Sequence, residues 1–481
     1  MKAITDLNMY IDGEFVRSSD DGTFNVLNPA NGNIISRVPA ATLEDTQQAI
    51  NSSAQAQKEW SKLPSITRGK YLLAIAKEIR NSSEHFAHII SEEMGKPLAQ
   101  SLVEVEVTAE YFEYIAGWAR KYEGEIIQSD RKKENILIFK QPIGVVAGIL
   151  PWNFPFFLIA RKAAPALLTG NTIILKPSSL SPNNALEFAK LLQKIELPKG
   201  VINIVTGSGK VVGEELSKNE KIGMVTLTGS TAAGQKVMKN ASKNITKVSL
   251  ELGGKAPAII MDDANIDLAV EAVFKSRIIN TGQVCNCTER VYVHENIASE
   301  FIDKITKKMS EASYGDPLEK ITYDMGPLAS EESLKNVEKL VENAVKQGAT
   351  ILTGGKRAKT KSGYYYEPTV LTNVDNSFEI MREEVFGPVL PISTFSTLDE
   401  AIELSNDCQY GLTSSIFTND VNTMMQASNE LQFGETYVNR ENFEAIQGFH
   451  AGWKKSGIGG ADGRHGLEEF LQTHAVYIQY E

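Results

Sequence analysis

The chain runs to 481 residues, more than one hydrophobic core organises, so two or three domains are expected. With 42% hydrophobic and 23% charged residues its composition is that of an ordinary globular protein, and a formal net charge of -11 argues against nucleic acid or an anionic membrane as partner, since both select clustered basic charge. Three cysteines, an odd number for so long a chain, exclude a disulfide framework and point to a reducing, cytoplasmic setting.

In chain order, the opening MKAITDLNMYIDG carries no apolar run of signal-peptide length, and the longest apolar run, 143–152, is far short of the roughly 20 residues that span a bilayer. Apolar positions recur at helical spacing over 42–60, 67–91 and 98–122, the last an amphipathic helix ending at a glycine. The stretch 125–142 alternates around a polar middle, as a hairpin does. With the β-like tail HAVYIQY at 474–480 it forms an arm whose strand edges suit pairing with another subunit, so a homo-oligomer, dimer or tetramer, is expected. From 143 the texture changes to β-rich runs, each followed by a turn and a helix: IGVVAGIL, NTIILKP, GVINIVTG and GMVTLTG. Four such units predict a parallel sheet with crossover helices. A second α/β series starts near 248 with KVSLELGGKAPAIIM, continues through helices at 265–282 and 296–313, ATILTGG and a strand at 389–395, and ends near Asn439.

Several residues in this framework carry chemistry. Gly207-Ser-Gly209-Lys-Val-Val-Gly213 opens a helix directly after a strand, where backbone N–H groups and the helix dipole favour an anion. Its third glycine falls one residue late for the dinucleotide fingerprint, and an ordinary tight turn has the same composition. Thr228-Gly229-Ser230 joins the next strand to its helix, with Ser230 equally suited to cap it. Two such turns in successive units favour a dinucleotide across the strand ends. Lys176 closes NTIILKP at the carboxyl end, where ligands bind in open sheets, although a solvated lysine would look the same.

NTGQVCNCTER at 280–290 sets Cys285 and Cys287 two residues apart after a glycine. A cysteine serves as a nucleophile when its thiolate is accessible, and as a small hydrophobe when buried. If the segment is extended, only one of the two faces a given site. No metal is expected: C-x-C lacks a second thiol pair or a histidine nearby in sequence, and His85 and His88 have the look of surface residues. Glu251, in SLELGGKAP, is either a solvated strand-end carboxylate or a general base whose pKa rises through partial desolvation. Asn153, in PWNFP, either satisfies a turn or donates to a developing oxyanion.

Together these stretches resemble the aldehyde dehydrogenase superfamily over nearly the whole chain: PWNFP at 151–155, KPS at 176–178, TGST at 228–231, ELGGK at 251–255, GQVC at 282–285 and EEVFGPV at 383–389. The resemblance implies a Rossmann-type parallel-sheet domain over 1–124 and 143–250, an α/β catalytic domain over 251–439, a small β oligomerisation arm from 125–142 and 465–481, and a segment 440–464 returning toward the cofactor domain. It makes Cys285 the nucleophile, Glu251 the general base and Asn153 an oxyanion donor, with Lys162 lining the site. For NAD it implies Trp152 and Lys176 on the adenosine side, Gly209, Gly213, Gly229 and Ser230 at the pyrophosphate, and Glu384 and Phe386 at the nicotinamide ribose and ring. Leu150, Pro151, Thr228 and Leu252 complete the cofactor set. Many NAD-preferring members have a glutamate where this chain has Ser179, so NADP remains open. The common SGxGRE pattern here reads Ser456-Gly-Ile-Gly459-Gly-Ala-Asp462, leaving a glutamate proposed to help water activation without a clear counterpart. WNFPFFLIARK, GQVCNC, NRENFEAIQGFHAGW and SGIGGADG resemble the lactaldehyde and glycolaldehyde dehydrogenase branch. That implies a short hydroxyaldehyde substrate, with Arg161, Asn286, Glu444 and His450 as polar contacts. The alternatives are another small aldehyde, such as succinic semialdehyde or betaine aldehyde, or a non-catalytic protein on the same fold. Glu251 counts against acylating members that use coenzyme A, which do without it.

Overall fold

The computed structural model of the chain describes residues 4–319, 322–360 and 362–481. Two sheets carry the molecule. The first has eight strands in the order Gly457–Ile458, Lys247–Glu251, Ile222–Thr228, Val145–Ile149, Thr172–Lys176, Ile202–Ile204, Met9–Ile11 and Glu14–Val16. Five of its strands, from Lys247–Glu251 to Ile202–Ile204, run parallel; all but Lys247–Glu251 are buried along nearly their whole length, which is why those four read as largely apolar runs rather than alternating ones. The second has seven strands in the order Thr350–Thr353, Thr369–Thr372, Val389–Phe395, Thr288–His294, Ala256–Ile260, Thr413–Phe417 and Glu435–Val438, parallel except at its first edge.

Three expectations shift. The helical spacing over 67–91 is two helices, Ser65–Asn81 and Ser83–Met94, broken at Ser82 (φ -120°, ψ 20°), where three residues of low helix propensity, Asn81, Ser82 and Ser83, stand together. The strand Lys247–Glu251 does not begin the second sheet. Its residues pair in parallel with Met224–Thr228, so it is the last parallel strand of the first sheet and delivers Glu251 to that sheet's carboxyl edge. Residues Met9–Val16, which no sequence pattern assigned, form a short hairpin extending the opposite edge.

The late third glycine of Gly207–Gly213 has a structural cause. Gly209–Gly213 form a π turn ahead of the short helix Glu214–Lys218, and the wider turn takes up the extra residue. Ser208 caps it, its hydroxyl accepting from Val211 N.

A third sheet stands apart. Leu471–Gln479 pairs along its full length with Glu134–Pro142, which pairs in turn with Glu125–Gln128. It leaves Ile126, Phe139, Tyr477 and Ile478 exposed. Among the described residues no helix is long and apolar enough to cross a membrane.

Candidate active site

The approach to Cys285 is unusual backbone. After the helix Ile266–Ile278, residues Asn280 (φ 48°), Thr281 (φ 60°) and Gly282 (φ 73°) are all left-handed. Only the glycine adopts this without strain; the other two cost on the order of 1 kcal/mol or more each and persist because their surroundings hold them. Asn280 N donates to Gln100 Oε1 at 2.8 Å, Thr281 Oγ1 donates to Gly326 O at 3.1 Å, and Ala329 N donates to Gln283 Oε1 at 2.8 Å. A Cβ on Gly282 would sit 2.4 Å from Gly387 O, so the close approach requires glycine.

The turn continues through Cys285 and Asn286, and this separates the thiols. The expectation that an extended segment would turn the two thiols to different sides is corrected: residues two apart share one face of an extended run, and the turn is what parts them. Cys285 lines a cleft of about 550 Å³ between the two main sheets. Cys287 is buried, its Sγ 2.9 Å from Val284 O, and desolvation pushes the thiol up to about 12 in spite of Arg277 nearby.

Glu251 and Asn153 line the same cleft. Glu251 Oε2 accepts from Thr228 Oγ1 at 2.7 Å. Burial acts to raise its pKa, as the sequence suggested, but the charges of Lys162, Arg161 and His450 outweigh it and hold the carboxyl below its ordinary range. The expected rise is thus corrected to a fall, so Glu251 stands ready as a carboxylate. Lys162 is buried, donates to Thr226 Oγ1 at 2.9 Å, and is brought down to about 8 by desolvation. Asn153 Nδ2 donates to Gln283 O at 3.0 Å, and its own carbonyl accepts from Asn280 Nδ2 at 3.0 Å, which ties the PWNFP turn to the thiol's turn.

Four polar residues were singled out for substrate, and three meet on the cleft wall. Arg161 donates to Glu444 Oε1 and to Asp462 Oδ2, each at 2.7 Å, and Asn286 Nδ2 donates to the other oxygen of Glu444. Burial opposes ionisation of Glu444, but His450 and Arg161 bring it down to about 2; burial raises Asp462 to about 6. Among the described residues, Asn286 Oδ1 and Arg161 Nε are buried without a partner. His450 is the exception. Its ring lies behind the wall, not on the cleft, with Nδ1 2.8 Å from Glu435 Oε1. Asp462, missed by sequence reasoning, sits in the segment that departs from the common C-terminal pattern, and that departure was the available signal.

On the cofactor side, Lys176, Ser179, Gly207 and Gly213 gather beside the π turn, away from the cleft. Ser179 Oγ donates to Gly207 O at 3.4 Å, and a Cβ on Gly213 would lie 3.9 Å from Lys176 Cδ. Lys176 is buried and, among the described residues, gives its ammonium only to Pro177 O; desolvation brings it down to about 8. Gly209 has open space where a Cβ would stand, so a ligand can approach its backbone closely. A buried cation with spare donors beside an open glycine turn fits a phosphorylated dinucleotide. Trp152 is not on that side. Its ring stands edge-on to Phe386, centroids 5.4 Å apart, on the cleft with Cys285. Leu150 N donates to Lys176 O at 3.0 Å, while Pro151, Gly229 and Ser230 line the cleft mouth. Leu252 packs over Gly234. Thr228, expected at the cofactor, makes its side-chain bond to Glu251. Glu384 Oε1 accepts from Gly254 N at 2.9 Å, and desolvation raises its carboxyl to about 8.

A buried hub that no motif indicated holds this side together. Glu289 pairs with Lys255 at 2.8 Å and Arg277 at 2.7 Å and accepts from Val385 N and Phe386 N, which fixes the loop carrying Glu384 and Phe386.

A half-buried thiol, a carboxylate and an amide line one cleft beside a Rossmann-type sheet. The chain belongs to the aldehyde dehydrogenase family, whose sequence model matches residues 15–476, and it is an oxidoreductase acting on aldehydes. It is 56% identical over 471 residues to lactaldehyde dehydrogenase of Escherichia coli, spanning 98% of each chain. The crystal structure of lactaldehyde dehydrogenase from Escherichia coli superposes with a TM-score of 0.98 at 55% identity, covering 99% of this chain and 100% of that one. The D-glyceraldehyde dehydrogenase (NADP(+)) of Picrophilus torridus is 39% identical, covering 98% of this chain and 96% of its own. Betaine aldehyde dehydrogenase from Staphylococcus aureus, solved in complex with NAD+, has a TM-score of 0.96 at 37% identity, covering 98% and 95%.

Proposed function

We propose that this enzyme oxidises a short 2-hydroxyaldehyde, such as lactaldehyde or glycolaldehyde, to its carboxylate, with NAD+ or NADP+ as acceptor. The observation that carries the substrate class is the buried, unpartnered Asn286 Oδ1, one residue from Cys285 on the cleft wall. A hydroxyl on the carbon next to the carbonyl donates to it. A plain alkyl aldehyde leaves it unpaired, at a cost of about 1–3 kcal/mol. Arg161, neutralised by Glu444 and Asp462, offers no free charge to the distal carboxylate of succinic semialdehyde. Two relatives bear the names of 2-hydroxyaldehyde dehydrogenases.

The chemistry follows from the residues. Cys285 sulfur adds to the aldehyde carbon, and the carbonyl electron pair moves to oxygen. Asn153 Nδ2 then turns from Gln283 O to the oxyanion, stabilising charge as it develops. The nicotinamide, when bound, takes the hydride. Glu251 accepts a proton from the water that attacks the resulting thioester, and the carboxylate product leaves. Steady-state comparison should give lactaldehyde a kcat/KM at least about ten-fold above propanal. Equal values for the two would remove the hydroxyl from the argument.

Two further expectations belong to this reading. Ser179→Glu sets a carboxylate where a 2'-phosphate would lie, so kcat/KM with NADP+ drops by about ten-fold or more while NAD+ is spared. Stopped-flow or steady-state rates with each coenzyme check this; parallel losses would place residue 179 elsewhere. The apolar face of the arm, with Ile126 and Tyr477 81% and 66% exposed, packs against another subunit of a homo-oligomer. Sedimentation of Ile126→Lys should show a smaller species than the native protein; an unchanged species means the arm is not at the interface.

A further inference from the structure

Asp462 stands where the backbone asks for a glycine. Its φ of 70° with ψ of 163° lies in a region that glycine alone occupies without strain, and the next residue, Gly463, is itself left-handed at φ 56°. The bend is pinned on both sides. Ala461 exchanges backbone hydrogen bonds with His450 at 2.9 and 2.8 Å, Gly463 N donates to Ile446 O at 3.0 Å, and Gly466 N donates to Asp462 O at 2.8 Å. A glycine at 462 would follow the same path freely, so what the aspartate adds is its side chain. That carboxylate is buried behind the cleft wall: Oδ2 accepts from Arg161 Nη2 at 2.7 Å, and among the described residues Oδ1 has no partner. No step of the reaction outlined above uses it.

We propose that Asp462 is a specificity-determining positioning residue, which holds Arg161 in an already neutralised pair and so closes the cleft to aldehydes that carry a carboxylate at their far end.

Arg161 reaches the cleft from the helix Phe157–Leu168, its guanidinium 4.8 Å from the centre of the Phe157 ring. The planar fork of an arginine on a cleft wall is well suited to clamp a carboxylate from a ligand. Here the protein supplies the carboxylates itself. Nη2 donates to Asp462 Oδ2 and to Glu444 Oε1, each at 2.7 Å, and the two acceptors differ in place. Glu444 lines the cleft and also takes Asn286 Nδ2, so it belongs to the wall that meets the substrate hydroxyl; Asp462 acts on the substrate only through the arginine. The charges decide the outcome. Asp462, Glu444 and Glu251 act on Arg161, against its own charge and that of Lys162 beside it, and the pair of His450 Nδ1 with Glu435 Oε1 at 2.8 Å adds nothing positive to this sum whether or not the ring is protonated. An incoming carboxylate therefore meets an excess of negative charge. With residue 462 uncharged the excess is gone, and Arg161 regains donors for a ligand. Burial raises the carboxyl of Asp462 to about 6, which leaves it ionised at about pH 8.

This rests on the substrate reading above, and the experiment keeps the two apart. Steady-state rates at about pH 8 are taken with lactaldehyde, propanal, succinic semialdehyde and isocaproaldehyde, the last an uncharged molecule of the same shape as succinic semialdehyde. The native enzyme is expected to give succinic semialdehyde a kcat/KM at least about ten-fold below that of isocaproaldehyde. Asp462→Asn keeps the volume and an oxygen for Arg161 but removes the charge. Its kcat/KM for succinic semialdehyde should rise by at least about ten-fold, chiefly through KM because the group gained is remote from the reacting carbon, while isocaproaldehyde changes by less than about three-fold. Asp462→Gly relieves the backbone and should show the same rise, which covers the case of an asparagine variant that folds poorly. A rise that isocaproaldehyde shares is a widened cleft and overturns the proposal. So does a native enzyme that takes these two aldehydes equally, or a succinic semialdehyde value unmoved in the variants. Lactaldehyde no better than propanal in the native enzyme overturns the substrate reading instead.

Discussion

Cys285→Ser is expected to lower dehydrogenase turnover by roughly 10⁴-fold or more, while Cys287→Ser keeps a good fraction of it. A serine hydroxyl at 285 is a far poorer nucleophile than a thiolate, and removing a covalent nucleophile disables every later step. Cys287 differs in kind. It is buried, donates to a backbone carbonyl, and is pushed up to about 12 by desolvation, so it remains a neutral thiol at working pH. A serine there makes the same bond to Val284 O and forfeits only a small apolar contact, a change of about 1–2 kcal/mol in stability. Initial rates of NADH formation on purified variants decide the matter. Equal losses in both would reassign the sulfur.

Glu251→Gln should stall after hydride transfer, giving a burst of NADH close to one per site followed by steady turnover lower by about 10²–10⁴-fold. The reasoning is electrostatic. Glu251 lies between Lys162, Arg161 and Thr228, which hold it ionised, so the native base works down through the ordinary carboxylate range. Its acid limb therefore falls below that of an isolated glutamate. Above about pH 8, where desolvation lets Lys162 lose its proton, Glu251 loses one of the charges that keep it low. The glutamine amide fills the same space and can still accept from Thr228, but cannot take a proton from water. Rapid-mixing absorbance at 340 nm distinguishes the burst from normal cycling, and undiminished steady rates would take Glu251 out of the hydrolysis.

What the sequence made legible follows the physics. The βα units were visible because buried parallel strands are continuous apolar runs and their turns need Gly, Ser and Thr. Cys285, Glu251 and Asn153 stood out because each lies in a short motif at a strand or helix end, and all three line one cleft. What stayed hidden depends on contacts between distant segments. The break at Ser82 falls in a short run of weak helix formers that helical spacing alone overlooks. The fall in the Glu251 pKa needs Lys162 and His450 brought in from elsewhere in the chain. His450 had the look of a substrate ligand because nothing in NRENFEAIQGFHAGW tells that its ring turns toward Glu435. Glu289 could not be found at all, since its worth lies in Lys255, Arg277 and the 385–386 backbone, which are dispersed in the sequence.

The run of three left-handed residues before Cys285 has a consequence for how this enzyme can be altered. The bend is braced from without, by a glutamine on the helix Leu98–Ala116 and by the strand-free stretch around Gly326 and Ala329, so the pose of the sulfur is set jointly by remote parts of the molecule. Cleft walls can be remodelled for new aldehydes while those braces stand; a transplanted segment 276–290 without them would relax and carry its sulfur to the wrong place.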